Sequence, residues 1–321
     1  MTSSSNMVDV SVIIVTFNSA DCIRPCVESV LNQQGLSLEV IVVDNASGDD
    51  TLERLQSLPC RVIANAENLG FSRGNNLGFA ASSGRYLYLL NPDARLTRSD
   101  DLAVLCRRLD AERHWGMAGT TIRSTDGKVE SPPASGYPGA RHIRRDFSKL
   151  PGRIAWIIGA SMMIRRSLYE RLEGFDPDFF LYSEETDFCL RARELGYEIG
   201  HVAEVLVRHI GGASEDSGDP YAVSVRKLKG LLLFRQKHYS PDDCLRLARQ
   251  DLRRARYRSL WHGLFSRFQG ARSVAWRKSR NYQAVWEVSR EYLTGRWQPA
   301  LPPAVIPSAK LKELVSAPGP R

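Results

Sequence analysis

The sequence predicts an α/β protein built on a doubly wound, mostly parallel sheet, extended at its C-terminal end by basic helices. Two observations predict the sheet. Short apolar runs recur, each ending in a cluster of Asn, Asp or Ser, and segments of helical periodicity separate them. Alternation at this spacing implies parallel pairing through right-handed crossovers. Charge predicts the extension. Residues 1–225 carry 23 Lys and Arg against 30 Asp and Glu, net −7, whereas residues 226–321 carry 21 against 6, net +15.

Val10 to Phe17 (VSVIIVTF) reads as the first strand and ends at Asn18-Ser19. An amphipathic helix follows from about Asp21 to Leu31, with Ile23, Val27, Val30 and Leu31 on one face. Glu39 to Val43 is a second buried strand, closed by Asp44-Asn45-Ala46-Ser47-Gly48, and Ser47 or Asp49 caps a helix over about 50–57. Arg61 to Ala64 is a third strand. The glycine-rich run Asn68-Leu69-Gly70-Phe71-Ser72-Arg73-Gly74-Asn75-Asn76 then opens a helix through about Ala81. Glycines let a backbone approach a ligand, and a helix N-terminus favours phosphate. The run is neither GxGxxG nor a P-loop, and a tight turn before a helix would need only Gly70.

Tyr86 to Leu90 is a short, fully apolar strand that stops at Asn91-Pro92-Asp93. Proline cannot continue a central strand, so the Asp93 carboxylate projects from the C-terminal edge of the sheet, where open α/β sheets bind ligands. One carboxylate there, beside a diphosphate, suits a divalent cation. A helix follows around Ser99–Arg113. Residues 124–152, rich in Pro, Gly and Ser, are expected to form a mobile acceptor-side loop or an insertion.

After the apolar stretch Ile154–Ile164, Gly174 to Asp187 joins an aromatic turn to a helix over about Glu184–Leu195 that Gly196 closes. Glu184, Glu185 and Asp187 lie on its first turn. Helix-end electrostatics would account for one or two of these acids, not three. The run Val202–Val207 leads to His209 and a Gly-Gly turn, a position that suits a metal or diphosphate ligand as well as an ordinary bonded histidine. Residues 226–280 hold sixteen Lys and Arg and three Asp, interleaved with Leu, Phe, Trp and Tyr, a pattern expected of helices on an anionic membrane surface. A nucleic-acid patch needs the same charge, but no nucleic-acid-binding motif accompanies it. A solvated helix face is the plain alternative.

Other features set limits. Ile154–Ile164, 11 residues long, is too short to span a bilayer, and Met1–Asp9 lacks the pattern of a signal peptide. Cys22, Cys26, Cys60, Cys106, Cys189 and Cys244 form no CxxC pair, so reduced thiols in a cytoplasmic protein are expected. The proline-rich residues 299–321 read as a flexible tail.

Taken together, VSVIIVTFNS, VIVVDNASGDDT, NLGFSRGNN, YLYLLNPDA, GFDPDFFLYSEETDFCLRARELGY and VRHIGGAS resemble, in this order, the inverting family-2 glycosyltransferases of the Rossmann-like GT-A fold. The likeness is greatest to their bacterial rhamnosyltransferase-like branch and covers about residues 8–215. Beyond it only FRQKHY looks family-like. The resemblance implies a transferase domain over 1–225, with a nucleotide-binding part at about 8–122 and an acceptor part at about 123–225. A basic helical region over 226–298 would lie at the inner face of the cell membrane. It implies that Thr16, Asn18 and Asp44 hold the base and ribose of a nucleotide-sugar donor, with Asn68, Gly70, Arg73, Asn75 and Asn91 completing the donor site. Asp93 falls on the metal-binding position of a DxD-type motif whose first acid is here Asn91, and His209 on a histidine that completes coordination. Mg2+ and Mn2+ stay open. Glu184-Glu185 falls on the family's acidic pair, which makes Glu185 the base and leaves Glu184 and Asp187 as alternatives. The branch implies transfer of L-rhamnose from dTDP-rhamnose to a lipid-linked or polysaccharide acceptor. A UDP-hexose or furanose donor is the nearest rival, and a non-catalytic scaffold with a degenerate transferase body the more distant one.

The chemistry is coherent without the family. Attack of a hydroxyl on an anomeric carbon needs one base. Departure of a nucleoside diphosphate needs positive charge. One base and one metal carboxylate imply direct displacement with inversion.

Overall fold

The computed structural model describes residues 8–124, 127, 129–130, 132–210, 220–269 and 273–297. The expected tail at 299–321 and residues 211–214 of the VRHIGGAS stretch lie outside the described residues. In chain order the first half runs β1 (Val10–Thr16), α1 (Ile23–Leu31), β2 (Leu38–Asp44), α2 (Thr51–Leu55), β3 (Arg61–Ala64), α3 (Gly70–Ala80), β4 (Tyr86–Leu90), β5 (Ala94–Leu96) and α4 (Asp101–Ala111). It continues with β6 (Trp115–Ser124), β7 (Val129–Glu130), a 3-10 turn (Ala140–His142), β8 (Ser161–Arg165), α5 (Arg166–Arg171), α6 (Glu184–Glu194) and β9 (Glu198–His209). The basic region forms α7 (Pro220–His238), α8 (Pro241–Gln269) and α9 (Val274–Leu293).

The strands make one sheet in the order β3-β2-β1-β4-β8-β6-β9-β5, with β7 on β6. The expected parallel pairing holds across β3-β2-β1-β4, whereas β8 enters antiparallel to both β4 and β6. Residues alternate strictly along these strands. Val12, Ile14, Val42, Tyr88 and Leu90 pack under α1 and α4, while Ile13, Val15, Ile41, Leu87 and Leu89 pack with α3, α5 and α6. Burial on both faces is why the runs read as continuously apolar. Register brings the functional ends together. Thr16 stands opposite Asp44 at the ends of β1 and β2, and Ala94 stands opposite His209 where β5 meets β9.

The strands β8 and β6 were not anticipated from the sequence. Within Ile154–Ile164 only Ser161 onward is strand; Ile158, Gly159 and Ala160 instead wall a cavity, and Ala160 O accepts from Asn91 N at 3.0 Å. β6 escapes notice because Gly116 and Gly119 interrupt its pattern. A Cβ at Gly116 would collide with Leu168 at 2.5 Å, and one at Gly119 would press on Ile157 at 3.1 Å.

The expected mobile loop is also different, for its described part is anchored. Tyr137 stacks on Phe234 and packs on Phe147, its hydroxyl accepts from Arg193 Nη1 at 3.0 Å, and Tyr239 OH donates to Pro138 O at 2.8 Å. These contacts belong to a third core cluster shared with Phe179, Leu190, Leu233 and Leu247, which fixes α7 and α8 to the body. Among the described residues no helix is long and apolar enough to cross a membrane.

Candidate active site

A cavity of 480 Å³ opens at the C-terminal ends of β1 and β4. Its first wall is the predicted donor side. Thr16, at the last position of β1, is buried, lines the cavity, and its Oγ1 finds no partner among the described residues. Next to it Asn45 holds the strand end through N–H to Thr16 O at 2.9 Å and reaches Gly70 O with Nδ2 at 3.1 Å. Asn68 Oδ1 accepts from Gly70 N at 3.0 Å. Gly70 has φ +82°, and a Cβ there would lie 2.4 Å from Phe180 O, the atom that accepts Phe71 N–H at 2.7 Å. This is the turn that requires glycine. It ties the loop before α3 directly to the chain that delivers the acids.

The second wall is the end of β4. Asp93 and His209 are buried, and Asp93 Oδ1 lies 3.1 Å from His209 Nε2. Asn91 Nδ2 stands 3.4 Å from the same nitrogen, and Ile210 N donates to Asp93 O at 3.0 Å. Two donors at right angles, each about 2.1 Å from an ion, would stand about 3.0 Å apart. The pair therefore fits a hard divalent cation. Among the described residues no group of three metal-ligating side chains forms, so phosphate oxygens and water would fill the other positions.

The third wall is the N-terminus of α6. Tyr182 and Ser183 precede it in the left-handed region, at φ 74° and 73°. Side chains pay roughly 1–2 kcal/mol each for that conformation, so the surroundings must enforce it. Gly230 of α7 does so by close approach, since a Cβ there would fall 2.2 Å from Tyr182 O, and the Lys227 ammonium lies 5.0 Å from the Tyr182 ring centre. Glu184 and Glu185 then face the cavity. Glu184 is only 4% exposed and its Oε2 has no partner among the described residues. Burial, then the charge of Glu185, pushes the Glu184 carboxyl well above the usual range. Burial also lifts half-buried Glu185 to about 7, opposed by backbone N–H groups at the helix start and by a hydrogen bond with Glu184. The direction is the same for both: near neutral pH the pair holds a proton that ordinary carboxylates would have lost.

The structure thus brings Thr16, Asn68, Gly70, Asn91, Asp93, His209, Glu184 and Glu185 around one cavity. Five predicted residues lie outside its walls. Asp187 is buried against α7 instead, with its carboxylate 2.7 Å from both Arg191 Nε and His238 Nε2. Asp44 takes Ser47 N and Oγ at 3.0 and 2.5 Å, while Asn18 Oδ1 accepts from Gly48 N at 2.8 Å, so both shape the loops behind the wall. Ser47 is thereby turned from the helix it was expected to cap; Asp49 Oδ1 takes Thr51 N at 3.1 Å. Arg73 Nε donates to Pro177 O at 3.2 Å, and Asn75 Nδ2 to Phe71 O at 2.9 Å. Sequence reasoning missed Tyr182 and Lys227. Positive φ leaves no mark on a tyrosine, and Lys227 sits in a basic region whose charge was assigned as a block.

Residues 11–173, half of the chain, match the profile described as "Glycosyl transferase family 2". The chain belongs to glycosyl transferase family 2. Residues 139–287 of this family 2 glycosyltransferase also match "Glycosyl transferase family group 2". It is similar to rhamnosyltransferase WbbL of Escherichia coli, 25% identical over 218 residues, covering 60% of this chain and 80% of that protein. It is also similar to the N-acetylglucosaminyl-diphospho-decaprenol L-rhamnosyltransferase of Mycobacterium tuberculosis, 26% identical over 242 residues (62% and 75% covered). The low-salt glycan biosynthesis hexosyltransferase Agl10 of Haloferax volcanii matches at 26% over 218 residues (63% and 67%). Mannosyltransferase PcManGT of Pyrobaculum calidifontis, solved with GDP-Man and Mn2+, superposes with a TM-score of 0.53 at 18% identity, over 95% of this chain and 79% of that one. These likenesses agree with the strand order above: the fold of this family 2 glycosyltransferase is GT-A.

Proposed function

We propose that this family 2 glycosyltransferase moves L-rhamnose from dTDP-rhamnose, with inversion, onto a lipid-linked or polysaccharide acceptor at the inner face of the cell membrane. One observation carries the reading: a single cavity holds the buried Asp93–His209 pair and the Glu184–Glu185 pair, both with chemistry to perform. Glu185 takes the proton of the acceptor hydroxyl as its oxygen bonds to the anomeric carbon, and the bond to the diphosphate breaks with its electron pair leaving on phosphate. Glu184, kept protonated by its burial, holds Glu185 in the position to accept. Lys227, on the cavity rim, meets the charge that develops on the diphosphate. Asp93 and His209 would hold Mg2+ or Mn2+, which supplies further positive charge to the same leaving group.

The two rhamnosyltransferase relatives support the donor, and the Mycobacterium tuberculosis protein, named for a diphospho-decaprenol substrate, supports a lipid-linked acceptor. The hexosyltransferase relative favours a second reading with a UDP-hexose donor. A panel of dTDP- and UDP-sugars with purified protein and either ion decides between them. Faster release of dTDP from dTDP-rhamnose than of UDP from any hexose donor, with an inverted product by NMR, is expected. Preference for a UDP-sugar would overturn the donor; no turnover of any donor with either ion would overturn the catalytic reading.

A further inference from the structure

Away from the catalytic cavity, a recess of 710 Å³ lies between residues 141–144 and α8, lined by Arg141, Arg144, Arg246, Gln250, Arg253 and Arg254 among others. Arg246 is ion-paired with Asp243. The other four arginines make no ion pair with a carboxylate among the described residues; Arg253 Nε turns to the backbone carbonyl of Arg249. Guanidinium groups stay charged and present donors in the fork that phosphate oxygens accept. Asp243, which also accepts from Arg144 N at 3.3 Å, offsets part of the Arg144 charge, but five arginines against this one carboxylate around one recess call for a phosphate-bearing anion.

The same face of α8 continues beyond the recess. At 3.6 residues per turn, Arg246, Gln250, Arg253 and Arg254 fall in one arc about 120° wide with Tyr257, Leu260, Trp261 and Leu264. Those four are exposed by 74%, 69%, 62% and 53%, while Cys244, Leu247, Ala248 and Ala255 turn inward to pack on the body. From Arg246 to Leu264 the outward stripe is about 27 Å long; past Asp242 and Asp243 in the first turn it carries no acid, and it is arginine-rich in its first half and aromatic-aliphatic in its second. That pairing complements a layer where phosphates overlie acyl chains. A soluble phosphate would have no use for the apolar half.

We infer that this face of α8 docks on an anionic lipid bilayer, with a lipid phosphate in the recess and Tyr257, Leu260, Trp261 and Leu264 in the interface. The inference deepens the proposal that transfer occurs at a membrane and rests on it. It assigns the contact to α8 rather than to the basic region as a whole.

The test is flotation of the full chain with vesicles of phosphatidylcholine alone or mixed with phosphatidylglycerol. Binding is expected on the mixed vesicles and to fall about 30-fold in R253A/R254A, from about 1 kcal/mol per basic residue. L260S/L264S should weaken it further at high salt, where charge is screened. If R253A/R254A loses its melting transition, R141A/R144A on the opposite wall makes the same test. Equal flotation with and without phosphatidylglycerol, or flotation indifferent to both arginine pairs, overturns the inference. So does full displacement by inorganic diphosphate where sodium chloride of equal ionic strength displaces little, which would make the recess a soluble-phosphate site. Donor hydrolysis without vesicles, expected to be unchanged in all three variants, reads the transferase proposal separately. Wild-type flotation without hydrolysis of any donor would sink that proposal and leave the docking face standing.

Discussion

Replacing Glu185 by Gln should slow sugar transfer and at the same time stabilise the protein above neutral pH. Burial lifts this carboxyl from 4.5 to about 7. At 1.36 kcal/mol per unit, the ionised side chain is disfavoured in the folded state by up to about 3 kcal/mol. The sign follows from the raised value. Folding favours the protonated form, so stability is fully present below about pH 4.5 and is lost as pH climbs through about 7. Gln matches the shape without the charge and recovers that loss at about pH 8, but has nothing to recover at about pH 4. Catalysis runs the other way, because a base must be ionised. Wild-type kcat/KM should therefore rise with pH on a limb centred near 7, and E185Q should lose about 10²–10⁴-fold in rate together with that limb. Nucleoside diphosphate release across pH, beside melting curves of both proteins at the two pH values, reads all of this. A Gln variant with wild-type kcat/KM, or a wild-type profile flat from about pH 6 to 8, would refute the assignment of Glu185 as base.

Asp187→Ala should cost about 1–3 kcal/mol of stability, seen as a lowered melting temperature, because His238 and one edge of Arg191 lose a buried acceptor between α6 and α7 while Arg191 keeps Leu172 O and Gly174 O. The pH limb of its surviving activity should stay near 7, since Asp187 does not face the cavity. Gly70→Ala should lose at least about 1–2 kcal/mol to its left-handed φ alone, and the push on Phe180 should also raise KM for the donor. Chelation should reduce wild-type turnover to background and Mg2+ or Mn2+ should restore it, whereas Asp93→Ala should respond to neither ion. Lys227→Ala should slow release of the diphosphate with little change in melting temperature, because the side chain is exposed and packs over the Tyr182 ring.

The nucleotide half of the fold was legible because its strands are buried on both faces and carry the simplest signal a sequence has, an unbroken apolar run. The strand ends were legible for a related reason. Asn18, Asp44 and Asn91-Pro92-Asp93 each interrupt such a run, and interruptions at one edge of a parallel sheet converge in space. What lay beyond reach was which interrupting side chain turns into the cavity. Asp44 and Asn45 are neighbours of similar chemistry, yet Ser47 captures the first and Gly70 positions the second beside the cavity. Likewise Glu185 and Asp187 share one helical turn, yet Glu185 faces the cavity whereas Asp187 is held by Arg191 and by the distant His238. For Asn45 and Asp187 the partners Gly70 and His238 are 25 and 51 residues away, which local pattern does not encode.

The basic C-terminal region shows the same limit in another form. Read as composition, its charge suggests a single role on a membrane surface. In three dimensions it divides by face. α7 turns inward: Lys227 reaches the cavity, His238 pairs with Asp187, and Gly230 presses on Tyr182 O so that the backbone before Glu184 stays in its strained turn. α8 turns Arg246, Arg253 and Arg254 outward and continues them with the exposed Tyr257, Leu260, Trp261 and Leu264. A helix that holds the acidic pair in place is thus joined, through two residues, to one whose outer face suits lipid. The left-handed pair at Tyr182 and Ser183 is the element that links the two. It would relax if α7 withdrew, and with it would go the aim of Glu184 and Glu185. Gly230→Val tests this directly, for a side chain there must displace the Tyr182 carbonyl. If α7 acts as the brace, kcat should fall while donor KM, set by the first wall, stays near the wild-type value. A fall confined to KM would mean that the turn is held by its own residues and that α7 merely covers it.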